Sequence, residues 1–163
     1  DKWVTSAGED RYRRALYTFW RRTVPYPSMI MFDAPERFVC TSRRIRTNTP
    51  LQAFVTLNDP AFWEAAQALA RRVMTDGGET DASRIAHAFR LVVSRDARPE
   101  EIAIVQQLLA DERARYAASP EDAVKVATDP LGPLPDGLDL VETAAWTQAA
   151  SVLLNLDEAL TKE

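Results

Sequence analysis

Asp59-Pro60-Ala61-Phe62-Trp63-Glu64-Ala65-Ala66-Gln67-Ala68-Leu69-Ala70-Arg71-Arg72-Val73-Met74 reads as an α-helix from one end to the other. Asp59 is a side-chain acceptor suited to the free amides of a first turn, and proline at the next position loses no needed donor. Phe62, Ala65, Ala66, Leu69 and Val73 recur at helical spacing and make one apolar stripe. Gly77-Gly78 ends the run.

The same signals repeat on either side. Upstream, Thr49-Pro50 opens a short helix through Leu57. Downstream, Asp81 caps a helix with Ile85, Phe89, Val92 and Val93 inward, and Pro99 starts a long one with Ile102, Val105, Leu108, Leu109 and Tyr116 inward. Ser119-Pro120-Glu121-Asp122 resembles a capping box and opens a helix to about Thr128. Asp129 to Gly137 is a loop of prolines and glycines. A last helix is predicted from about Asp139 to Leu160. It is apolar on most sides, which predicts a central position with Val152 and Leu156 buried. No segment alternates with period two. The fold class expected is therefore all-α, an irregular multi-helix bundle, with residues 1–163 as a single helical domain.

The N-terminal third reads differently. Tyr12, Leu16, Phe19 and Trp20 suggest a helix from Arg11 to Arg22, ended by Pro25 and Pro27. Val24 to Asn48 has no period and is rich in Pro, Arg and aromatics. It reads as a long ordered loop, and loops of that length tend to be functional. From Arg11 to Arg46 nine arginines face only Asp33 and Glu36, a local charge of +7, within a chain whose net charge is −4. A basic arm on an acidic body implies an anionic partner or internal pairing of arm with body.

Composition excludes several chemistries. One cysteine, Cys40, and one histidine, His87, cannot build a Cys/His zinc site, and there is no Cys-x-x-Cys-His for covalent haem. Walker, dinucleotide-binding and nucleophile-elbow motifs are missing. No cofactor and no metal are expected. His87 lies about 200° around its helix from Ile85, which predicts an exposed side chain. No carboxylate pair stands out from caps and solvated faces. No apolar run reaches the roughly 18–20 residues of a membrane span. The acidic total and the lack of a reader motif argue against nucleic acid as a partner. Trp63 and Trp146 lie within helices and are expected in the core, whereas Trp20, beside Tyr17 and Tyr26, is a candidate surface platform.

Arg43, Arg44, Arg46 and Asn48 lead directly into the Thr49-Pro50 helix start. Guanidinium groups bind carboxylate, sulfate or phosphate through paired hydrogen bonds, and a helix start also favours anions. With Asp33, Trp20 and Arg21 they form the candidate site for an anion or a partner. The structural alternative is that the arginines clamp the loop onto acidic residues.

The run Arg13-Arg14-Ala15-Leu16-Tyr17-Thr18-Phe19-Trp20-Arg21-Arg22-Thr23-Val24-Pro25 resembles the planctomycete-specific C-terminal domain of unknown function. The likeness continues through Phe32-Asp33-Ala34-Pro35, Arg46-Thr47-Asn48-Thr49-Pro50-Leu51-Gln52-Ala53, Leu57-Asn58-Asp59-Pro60 and Ala150-Ser151-Val152-Leu153-Leu154-Asn155-Leu156-Asp157-Glu158. Arg98 departs from the small capping residue usual there. The chain resembles the C-terminal part of that domain and starts without Met, so a piece of a larger multidomain protein is expected. The resemblance implies large planctomycete surface proteins, many with a cytochrome-c-like domain, and hence an exported or cell-envelope location. It implies no activity. The combined reading is an accessory or interaction module with an Arg-rich loop, its partners being the upstream domains of the same polypeptide or an anionic glycan or protein. The rival reading is part of a hydrolase of anionic polysaccharide, completed by the upstream region, with Asp33, Arg43, Arg44, Arg46 and Asn48 at its site.

Overall fold

A computed structural model describes residue 4, residue 6, residues 8–21, 23–35, 37–43 and 47–161. Among them are eight α-helices and no strand, so the protein is all-α. The chain separates into two compact units, Asp1–Val55 and Thr56–Glu163.

The second unit is the helical body. It holds α3 (Pro60–Asp76), α4 (Asp81–Val93), α5 (Pro99–Ala118), α6 (Pro120–Thr128), α7 (Leu140–Leu154) and α8 (Asp157–Leu160). The expected starts at Pro60, Pro99 and Pro120 hold. Asp59 accepts the Ala61 N–H at 2.9 Å. Two caps differ from expectation. Thr80, not Asp81, caps α4 by accepting the Ser83 N–H, and Asp81 is its first helical residue. Ser119 makes no side-chain cap bond. At Arg98 the missing small cap is offset from the other side, because Glu101 reaches back to accept the Arg98 N–H at 2.7 Å.

α7 is central and packs against α3, α4, α5 and α6. Small residues, Ala144, Ala145, Ala149 and Ala150, let its neighbours approach, and Trp146 fills the middle. A helix apolar on every side buries nearly every side, as its sequence predicts. The predicted helix to Leu160 is broken at Asn155, and Asp157 starts the separate α8. Val152, still inside α7, is 45% exposed and Leu156 only half-buried, while Leu153 is 2% exposed and takes the core position.

The buried face of α3 also differs from the apolar stripe. Ala66, Gln67, Ala70, Val73 and Met74 are buried, whereas Ala65 is exposed and Phe62 and Leu69 are half-buried. Gln67 is inside because the loop after α6 needs it. Its Nε2 donates to the Val126 and Asp129 carbonyls at 2.7 and 2.9 Å, and its Oε1 accepts the Leu131 N–H at 3.0 Å. Arg71, one turn on, donates to the Ala127 and Gly132 carbonyls. Burial pushes its guanidinium below its ordinary value.

Two arginines tie helices together. Arg113 of α5 forks onto Asp81 of α4 and Glu142 of α7. Arg95, in the α4–α5 turn, forks onto Glu101 of α5 and Glu158 of α8. Paired forks of this geometry are stronger and more directional than single ion pairs. His87 is half-buried rather than exposed, and its buried Nε2 has no hydrogen-bond partner. Half a turn from the stripe is still partly covered, in a helix that meets α3, α5 and α7.

The first unit contains α1 (Pro27–Met31) and most of α2 (Pro50–Asn58), with 3-10 turns at Gly8–Tyr12 and Ala15–Tyr17. The expected helix from Arg11 to Arg22 does not form over the described residues. Most of its apolar residues lie in water, with Leu16 73% and Phe19 71% exposed, and an isolated helix of that length is marginal in water. Pro27, expected to end a helix, instead occupies the first position of α1 inside the predicted loop.

Candidate functional site

In the first unit one polar cluster organises the loop. Asp33 sits in the left-handed region at φ +54°, which short polar side chains tolerate by bonding locally. Its Oδ2 accepts the Thr47 N–H at 2.9 Å and the Thr47 hydroxyl at 2.7 Å. Gln52, buried, donates from Nε2 to the Met31 carbonyl at 2.8 Å and to Thr47 Oγ1 at 3.1 Å. Gln52 Oε1 accepts the Thr49 N–H, while Thr49 Oγ1 accepts the Gln52 N–H at the long distance of 3.4 Å. Thr49-Pro50-Leu51-Gln52 is thus a capping box, and the amide that closes it also pins α1 to the start of α2.

Of the candidate residues, the structure brings Asp33 into this cluster, where Thr47 engages its carboxylate. Arg43 and Asn48 are exposed, and Arg44 and Arg46 lie outside the described residues. Trp20 and Arg21 are half-buried. One face of Trp20 is occupied, because the Arg37 guanidinium lies 4.9 Å from its ring centre. Arg37 also donates to the Ala15 carbonyl at 3.2 Å. Arg14 over Tyr17 and Arg21 over Phe19 repeat the pairing at 5.8 and 5.9 Å, near the outer limit for such contacts.

Sequence reasoning missed Arg37, Thr47 and Gln52. Gln52 had a legible signal, the Thr-x-x-Gln spacing. Arg37 had none, since its role depends on a chain reversal that brings it back over Trp20.

The surface of this unit is its distinctive property. Among the described residues, no apolar side chain before Thr56 is buried, and twelve of the sixteen exposed large hydrophobic residues lie there. The unit carries nine arginines and one lysine against five carboxylates, a net charge of +5. No group of three or more His, Cys, Asp or Glu among the described residues is placed to hold a metal ion. No helix among them is long and apolar enough to cross a membrane.

No curated protein and no solved structure matches the chain. The family PSD1, described as a protein of unknown function (DUF1553), matches residues 1–109. That span takes in the whole basic first unit together with α3, α4 and the first half of α5. The chain belongs to this family of proteins of unknown function.

Proposed function

We propose that the chain is an accessory interaction module in which the helical body is a scaffold and the basic first unit is the docking segment. The observation that carries this is the set of exposed apolar side chains on a unit with no buried apolar residue among those described. Leu16, Tyr17, Phe19 and Val39 gain nothing from water, and twelve of the sixteen exposed large hydrophobic residues among those described fall on this unit. The partner carries negative charge to match the unit's +5. The upstream domains of the same polypeptide, an anionic glycan or an anionic protein each meet that condition. The resemblance drawn above supports a setting in a large planctomycete protein that is exported or held at the cell envelope. The reading needs neither cofactor nor metal.

The test is a triple substitution, Leu16→Ser, Phe19→Ser and Val39→Ser. The unmodified chain is expected to bind a hydrophobic fluorescent dye such as ANS at its first unit. The variant is expected to lose most of that signal and keep its melting temperature, since exposed substitutions usually shift stability by less than about 0.5 kcal/mol. A parent chain that binds no dye, or a variant that unfolds, overturns the docking role.

A further inference from the structure

We infer that the occupant of the first unit is an acidic protein surface with apolar side chains among its carboxylates, rather than a glycan or a nucleic acid. The inference rests on the docking role proposed above and narrows it to one class of partner. Three observations support it.

The first is the kind of apolar group displayed. Leu16, Val24, Ile30, Val39 and Leu51 are branched aliphatic side chains exposed alongside the aromatics. Sugars and bases are gripped by flat rings and hydrogen-bonding groups. Branched aliphatics offer them little, but they do complement the apolar centre of a protein interface.

The second is the choice of cation. The unit has nine arginines and a single lysine. Protein interfaces are enriched in arginine and aromatic residues and depleted in lysine, and tryptophan, tyrosine and arginine carry most of their binding energy.

The third is how the aromatic rings are used. Arg37 covers a face of Trp20, and Arg14 and Arg21 lie over Tyr17 and Phe19. A ring face that carries a guanidinium is lost to a sugar or base stacking on that side. The stacked guanidinium keeps edge N–H donors, which suit a carboxylate. Stacking also restrains the long side chain before binding, so less rotamer freedom remains to be lost.

The experiment uses the whole chain and four probes matched in length and charge. They are a peptide of glutamates interspersed with leucine and phenylalanine, polyglutamate, polygalacturonate and single-stranded DNA. Affinities are measured by fluorescence anisotropy at low and moderate salt. The expected result is that the mixed peptide binds at least about tenfold more tightly than each other probe. Its binding weakens with salt, and Leu16→Ser with Phe19→Ser removes the advantage over polyglutamate. Arg37→Gln weakens the peptide without unfolding the body, as judged by circular dichroism. Equal or tighter binding of polygalacturonate or DNA overturns the inference while leaving the docking role standing. Equal binding of polyglutamate overturns it too, because the apolar groups then contribute nothing. Failure of all four probes also overturns it, and the dye experiment above reports separately whether the docking role survives.

Discussion

Glu101 shows how much one side chain can carry. The Arg95 guanidinium first, and the Arg98 backbone N–H second, hold its carboxyl down to about 2, from an ordinary value of 4.5. A depressed carboxylate stabilises the fold fully above its unfolded value, and that contribution is lost as pH falls from about 4.5 towards 2. Glu158 and Asp81 are shifted in the same direction by Arg95 and Arg113. The melting temperature is therefore expected to fall steeply across that interval, and Glu101→Gln to flatten part of the drop while lowering stability at neutral pH. A variant whose pH profile overlays that of the parent would show that the pair contributes nothing. Gln67 is the neutral counterpart. Gln67→Leu preserves volume but strands the Val126 and Asp129 carbonyls and the Leu131 N–H. Its expected cost is on the order of 3 kcal/mol in chemical denaturation, because each buried orphan costs roughly 1–3 kcal/mol. A cost near zero would mean that water reaches the loop.

Among the elements, α7 separates two neighbouring positions. Leu153 is fully packed and Val152 is not. Leu153→Ala is expected to cost on the order of 2–5 kcal/mol, as buried leucine truncations do. Val152→Ala, whose side chain is half in water, is expected to change stability by less than about 1 kcal/mol. Urea midpoints of the two variants check the pair, and reversed magnitudes would place α7 in a different rotation. α3 teaches the same point from another side. Its start was legible from Asp59-Pro60, but its buried face includes Gln67, which no count of apolar residues selects. Arg11 to Arg22 is the opposite case. A periodic apolar pattern is there, yet no helix forms across the described residues, because a pattern stabilises a helix only when something covers the stripe.

Across the molecule, the body from Thr56 onward has its own core and the first unit has no buried apolar residue among those described. Hydrogen exchange is expected to follow that division. Amides of α3, α5 and α7 should exchange slowest, and those of α1 and the two 3-10 turns fastest, since local opening is easiest where few apolar contacts are lost. Equal protection in the two units would contradict the surface assigned to the first. The all-α class, the helix starts at Pro50, Pro60, Pro99 and Pro120 and the stop before Gly77 were readable without coordinates because they are local. A cap acts within three residues, a proline on its own turn, and a glycine pair on the bond it frees. The basic arm was readable as a charge count, and the Thr-x-x-Gln box as a spacing. The aromatic–arginine stacks, the burial of Gln67 and His87, the break at Asn155 and the choice of Leu153 over Val152 and Leu156 were not readable. Each depends on which neighbours surround a side chain, and those neighbours come from distant parts of the chain. Local sequence therefore determined where most helices begin and end, and tertiary packing alone decided which faces are dry, because burial is a property of what covers a residue and not of the residue itself.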